Sequence, residues 1–175
     1  YPDLKAALVK PYKPIPTKVL EDFYAKQEAP KTQTKNVLPD ADKDGIHDQS
    51  DILQNALAQI GVVTKYDGSY FYNGYPPEDT GACTDVIWRA LKEAGYDFKA
   101  MLDNDRADYP QYYPDYASSD HHIDFRRVLN IQAFLKKNTQ SLTTKLVPHD
   151  PNNLKTWKPG DIVTFDKIIS EVYHI

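Results

Sequence analysis

Two stretches of this sequence carry side chains whose types and spacing suit chemistry. The first is the run DADKDGIHDQSD at residues 40–51, which sets Asp40, Asp42, Asp44, Asp48 and Asp51 around Gly45. Counted from Asp40, the carboxylates fall at positions 1, 3, 5, 9 and 12, with glycine at 6. Calcium is a hard cation that takes about six to eight oxygen ligands. Alternate aspartates on a curled loop deliver them from one side, Gly45 permits the sharp turn, and the Ile46 carbonyl fits position 7. The spacing predicts a structural calcium site built from Asp40, Asp42, Asp44, Ile46, Asp48 and Asp51, with the Ile46 side chain turned into the core. The competing reading is a solvated acidic turn that caps the next helix. Five aspartates in register with one glycine favour the cation.

The second stretch is Gly81, Ala82, Cys83, Thr84, Asp85 and Val86, which leads from a loop into a helix. Cys83 is the single cysteine of the chain, so no intrachain disulfide forms. A thiol in the first turn of a helix meets the positive end of the helix dipole, and the thiolate is the reactive form of cysteine. Small residues before it leave the approach open, and backbone N–H groups of the helix start suit an oxyanion hole. A free cysteine is equally at home as a small buried hydrophobe, so a partner base has to decide the matter. Five histidines are available: His47, His121, His122, His149 and His174. None stands out by local sequence.

The elements that must position these residues follow from periodicity. Residues 83–94 are the clearest helix, with Val86, Ile87, Ala90, Leu91 and Ala94 on one stripe and Gly95 as the stop. Residues 52–60 repeat apolar positions at helical spacing and end at Gly61, and residues 128–137 read as a second core helix. Residues 62–75 alternate loosely about Asp67, Gly68 and Ser69, which predicts one or two strands around a tight turn. Residues 103–122 are polar and tyrosine-rich and read as an ordered loop. Pro159, Gly160 and Asp161 make a turn into a strand at 162–165, and His174 stands on a further strand. Residues 1–18 contain four prolines, which argues for an extended arm, and Thr17 would cap a short helix at 19–26. The expected organisation is an N-terminal arm over 1–39, a calcium loop over 40–51 and one domain over 52–175.

Composition removes several classes. The chain has 175 residues and a net charge of −4 without a basic block, which argues against a nucleic-acid partner. No run of about 18 apolar residues could span a membrane. The 13 tyrosines suit the grooves of extracellular domains, where an aromatic ring needs both a packed face and a wet hydroxyl. The first residue is not Met and no signal pattern is present, so a mature or trimmed chain is expected.

Several motifs taken together resemble a known family. They are residues 66–70; Asp79, Thr80, Gly81, Ala82 and Cys83 with Asp85 and Arg89; Asp105; Ile123 and Asp124 with Arg126, Arg127, Val128 and Asn130; residues 157–163; and His174 with Ile175. Their order resembles the bacterial domain-of-unknown-function family 1287, itself similar to the NlpC-type branch of the papain-like cysteine peptidases. The resemblance implies an α+β fold of papain type, with the nucleophile helix packed on a small antiparallel sheet. It implies Cys83 as nucleophile and His174 as general base. Asp85, Arg126 and Arg127 could bind a substrate carboxylate, or form a buried ion-pair network between the core helices. The implied function is a secreted or periplasmic cysteine hydrolase cleaving amide bonds of cell-wall peptides, with peptidoglycan as the partner. The alternative is a non-catalytic, calcium-stabilised envelope protein that binds peptide or glycan. The family pattern continues beyond the histidine, so either the domain is truncated at its C-terminus or the group that orients the imidazole is missing. The acidic loop is not part of that pattern. With Asp51 in place of the usual glutamate and Pro39 just before it, the loop resembles those of dockerins and other secreted bacterial proteins.

Overall fold

A computed structural model describes residues 39–114, 119–165 and 173–175. The predicted arm and the helix at 19–26 lie outside these residues. The described part belongs to the unit Leu38–Ile175. Its order is α1 (Asp48–Ala58), β1 (Lys65–Tyr66), β2 (Thr80–Gly81), α2 (Cys83–Glu93), α3 (Phe98–Asp108), α4 (Val128–Asn138) and α5 (Pro151–Leu154). Short 3-10 turns stand at Pro110–Tyr112 and Asp124–Arg126. The fold is α+β, with helices forming most of the body.

The helix at 52–60 starts earlier than its apolar pattern, at Asp48, because two acids fit its first turn. Asp48 and Asp51 stand there, where the helix dipole favours negative charge. Helix α2 stops at Gly95, whose φ of +87° suits a residue without a side chain.

Helix α3 replaces the first part of the loop expected from residue 103. Asp97 caps it by accepting from the Ala100 N–H at 3.1 Å. Phe98, Leu102 and Arg106, four residues apart, are its buried face. The polar Asp103, Asn104 and Asp105 between them hid that stripe.

The expected antiparallel sheet is corrected. Strands β1 and β2 form a two-stranded parallel sheet, pairing Lys65 with Thr80 and Tyr66 with Gly81. The hairpin expected around Asp67–Gly68–Ser69 does not close. The guanidinium of Arg126 donates to the carbonyls of Ser69 (2.8 Å) and Asp67 (3.3 Å), which turns the chain outward. It returns only at Asp79, whose carbonyl accepts from Thr64 and Lys65. Parallel pairing needs such an excursion between its strands. Antiparallel pairing among the described residues is confined to one bridge, Phe165 with His174, and residues 162–164 carry no regular pairing.

One apolar cluster joins the elements: Trp88 from α2, Phe98 and Leu102 from α3, Tyr113, Phe125, and Ile131 and Phe134 from α4. Ile175 packs against it, which seats the segment carrying His174 on the body. Leu102 is completely buried. Leu102→Ala is expected to cost about 2–5 kcal/mol in urea unfolding, because the cavity forms among aromatic rings that cannot collapse freely. It should leave the alkylation rate of Cys83 in the folded protein unchanged; a loss below about 1 kcal/mol would show that the cluster is not the core.

Candidate active site and acidic loop

Cys83 is the first residue of α2 and is half-buried. The strand β2 delivers it through Gly81 and the extended Ala82. What fixes this helix start is Asp85. Its Oδ2 reaches back to accept from the Ala82 N–H at 2.6 Å, an acid in the third helical position closing the first turn. Its Oδ1 accepts from Trp88 Nε1 at 2.7 Å. Arg126 then grips both oxygens, Nε to Oδ1 at 2.7 Å and Nη2 to Oδ2 at 2.8 Å. The side chains are 0% and 3% exposed, so this is a buried two-point ion pair.

A second buried carboxylate stands beside it in sequence. Asp124 meets Arg106 Nη1 at 2.7 Å and Arg127 Nη1 at 2.8 Å, and accepts from the Ser119 hydroxyl and the Asp120 N–H. Of the three residues predicted to bind substrate, Asp85 and Arg126 are engaged with each other. Arg127 is tied to Asp124 but keeps 30% of its side chain exposed.

His174 is exposed and exchanges both backbone hydrogen bonds with Phe165, at 2.8 and 3.1 Å. Among the described residues no hydrogen bond links its imidazole to the Cys83 thiol. Tyr66 lies near Cys83 and Arg89 near Asp85, and neither had a role assigned from the sequence. The Tyr66 hydroxyl is raised above its ordinary value, first by partial desolvation of the hydroxyl end and then by Cys83 and Asp85, while most of the residue stays exposed. Arg89 donates from Nη2 to the carbonyls of Pro77 and Thr80, 3.0 and 2.8 Å away, and so ties the approach loop to the nucleophile helix. Burial lowers its pKa. No local pattern marks either: Tyr66 lies 17 residues before Cys83, and Arg89 six after it, which is not the i+3 or i+4 spacing of one helix face.

In the acidic loop, ligand atoms of Asp40, Asp42 and Asp44 lie within 4.8 Å of one another. Three short bonds curl the chain: Gly45 N–H to Asp40 Oδ2, Asp44 N–H to Asp42 Oδ1 and Ile46 N–H to Asp44 Oδ1. Gly45 takes φ +93° at the turn, as expected for position 6. Asp48 is spent differently: Oδ1 accepts from the Ala41 N–H at 2.8 Å and Oδ2 accepts from the Tyr96 hydroxyl. Asp51 is 5% exposed and its Oδ2 has no partner among the described residues. Its carboxyl is pushed above the ordinary range by burial, then by Asp44, Asp42, Asp40 and Asp48. The Ile46 side chain is 38% exposed, correcting the expectation that it enters the core; the bond from its own N–H to Asp44 turns it outward.

Asp120, His121 and His122 also bring three possible ligand atoms within 4.8 Å. Their chemistry fits poorly. His122 Nδ1 accepts from the Asn73 N–H at 3.1 Å, which places the ring proton on Nε2 and leaves no lone pair there for a metal. His47 stands exposed before α1, and His149 is exposed with φ +65°. A cavity of about 270 Å³ lies between α2 and α3, lined by Tyr75, Trp88, Tyr96, Phe98 and Phe125 among others, and it does not include Cys83.

Residues 53–175 match the family model described as "Domain of unknown function (DUF1287)". The chain belongs to this family. It is also 31% identical over 122 residues to "Uncharacterized protein YijF" of Escherichia coli (strain K12), covering 65% of this chain and 56% of that protein. The chain therefore spans little more than half the length of this relative. No solved structure matches. The family segment contains Cys83, the Asp85–Arg126 pair, Asp124 and His174, and begins after the acidic loop.

The Asp85–Arg126 pair gives a direct stability prediction. Arg126→Met leaves a buried carboxylate without its cation and should cost about 3–5 kcal/mol in urea unfolding. Adding Asp85→Asn to that variant should restore part of the loss, because the uncompensated charge is gone. Additive losses in the double variant would show that the two side chains are not coupled.

Proposed function

We propose that this protein is a secreted cysteine hydrolase of NlpC-type, papain-like fold that cleaves amide bonds of cell-wall peptides in the bacterial envelope. The observation that carries the reading is the placement of Cys83. The only cysteine is neither in the apolar cluster nor on a featureless surface, but half-buried at the first position of the best-formed helix. An acid two residues along would oppose a thiolate. Arg126 offsets that charge through two bonds, so Asp85 can close the helix turn without that opposition.

In this reading His174 takes the Cys83 proton as the sulfur attacks the amide carbonyl. First-turn N–H groups, which lack intrahelical partners, receive the oxyanion. The C–N bond breaks as the imidazolium returns the proton to the leaving amine, and water then hydrolyses the thioester. Asp85 and Arg126 act as positioning residues, and Arg127 is the one of the three with surface to meet a substrate carboxylate. The support for His174 is its segment: the bridge to Phe165 and the seating of Ile175 on the core hold it in place.

The acidic loop is read as an EF-hand-like structural calcium site, with Asp40, Asp42, Asp44 and Asp51 as carboxylate ligands, the Ile46 carbonyl at position 7, and Asp48 shared with Tyr96. A buried, partnerless Asp51 oxygen beside three clustered carboxylates fits a hard cation. The competing function is a non-catalytic envelope protein that binds peptide or glycan. It draws on Tyr66 and Tyr72, which are 76% and 78% exposed, and on Tyr70 beside them.

Two measurements separate these. Iodoacetamide at pH 7 should label Cys83 at least about tenfold faster than an unfolded peptide thiol, and Cys83→Ala should abolish release of peptide fragments from muropeptides seen by mass spectrometry. A slow thiol together with retained muropeptide binding would favour the binding protein. For the loop, the sign follows from Asp51. Its raised pKa means that in chelated protein its ionised form destabilises the fold above that value, and the loss is relieved as pH falls through it. Asp51→Asn should therefore raise the Tm of chelated protein at pH 7 and abolish the rise that calcium gives the wild type. A variant that kept that rise would remove Asp51 from the site.

A further inference from the structure

The acidic loop is joined by short contacts to both supports of the candidate active site. Its backbone lies against the end of the nucleophile helix: a Cβ on Gly95 would sit 2.9 Å from the Asp42 nitrogen. Asp48 accepts from the Tyr96 hydroxyl at the same junction. Further along, α1 lies against α2 itself, with Gln59 Nε2 donating to the Val86 carbonyl at 3.0 Å.

The other support is the turn that opens the segment of Phe165. Gly160 has φ +89°, and a Cβ there would meet the Gln49 carbonyl oxygen at 2.5 Å and its Cγ at 2.8 Å. No other residue fits that contact. The Gln49 amide donates to Asp161 Oδ1 at 3.2 Å, while Asp161 Oδ2 accepts from the Lys158 N–H at 2.7 Å and closes the turn. Four residues after Asp161, Phe165 makes its two-bond bridge to His174. Gln49 itself stands between two acids of the loop, Asp48 and Asp51, in the first turn of α1.

We infer that Gln49, Gly160 and Asp161 form a latch through which calcium in the acidic loop positions the His174 segment, so that the cation sets the reactivity of Cys83. The inference rests on the calcium and cysteine-hydrolase readings above. A cation drawing in Asp40, Asp42, Asp44 and Asp51 fixes the first turn of α1. Gln49 moves with that turn, and the Gly160–Asp161 seat follows because nothing separates them. The same turn bears on the end of α2. One ion thus holds the base's support and the nucleophile's helix in a common frame. Gln49 is a positioning residue here, since it touches neither reacting group.

The test measures calcium affinity by calorimetry and the alkylation rate of Cys83 from pH 5 to 9, with and without calcium, in the full chain. In the wild type calcium should speed alkylation by about fivefold or more and displace its pH profile, the usual size of coupling between two sites. Gln49→Ala should bind calcium within about twofold of the wild type and lose most of that response. Gln49→Glu puts a carboxylate against Asp161 and should lose it too, as should Asp161→Asn, whose single acceptor oxygen cannot serve both the Gln49 amide and the Lys158 N–H. Gly160→Ala, if it folds, should behave as Gln49→Ala. Calcium binding that leaves the wild-type profile unmoved, or a full response in Gln49→Ala, overturns the latch while the calcium reading stands. Absence of binding at millimolar calcium overturns both. A thiol inert under every condition overturns the latch together with the hydrolase.

Discussion

The bidentate pair of Asp85 and Arg126 is the interaction on which the rest of this structure depends. A buried carboxylate alone is costly, and a buried guanidinium alone is no cheaper. Together they satisfy each other and still have bonds to give. Asp85 closes the first turn of the helix that begins at Cys83 and takes the indole N–H of Trp88. Arg126 holds two carbonyls of the loop leaving β1. Three chain segments therefore meet at one ion pair, and the single thiol of the chain stands at its edge. Such a pair gives little net stability relative to a well-packed apolar substitute. Its contribution is geometric: it decides where the helix starts and which way the loop runs.

The acidic loop presents the opposite electrostatic situation. Asp40, Asp42 and Asp44 bring carboxylate oxygens within 4.8 Å of one another, their charge reaches Asp51, and the bonds that curl the loop come from its own backbone. These bonds shape the loop but leave like charges close together, and burial of Asp51 adds to the strain on its ionised form. Asp48 is diverted to Tyr96 and so ties the loop to the α2–α3 junction. The Asp85–Arg126 pair is thus neutralised within the protein, whereas the acidic loop holds like charges together.

The helical part of the fold was legible in the sequence because it repeats. The stripe of Val86, Ile87, Ala90, Leu91 and Ala94 and the stop at Gly95 located α2 within a residue. Helix α3 was missed because its buried face includes Arg106, and Asp103, Asn104 and Asp105 separate Leu102 from it. The direction of the small sheet could not be read locally. It depends on Arg126, which is 57 and 59 residues from the carbonyls it captures. Periodicity carries no signal of that range. The curl of the acidic loop was legible because its aspartates are contiguous and Gly45 takes the turn. The possible ion pair of Asp85 and Arg126 was foreseen as an alternative to substrate binding, but only packing could show that both side chains are enclosed.

The proposed hydrolase requires a reactive thiol at Cys83. The most direct check is to mix the protein with an activated acyl substrate, quench in acid within the first turnover, and weigh the intact chain. A single acyl adduct, mapped by peptide mass analysis to Cys83 and removed by hydroxylamine as a thioester, is the expected result. A chain of unchanged mass, or an adduct on any other residue, would contradict it.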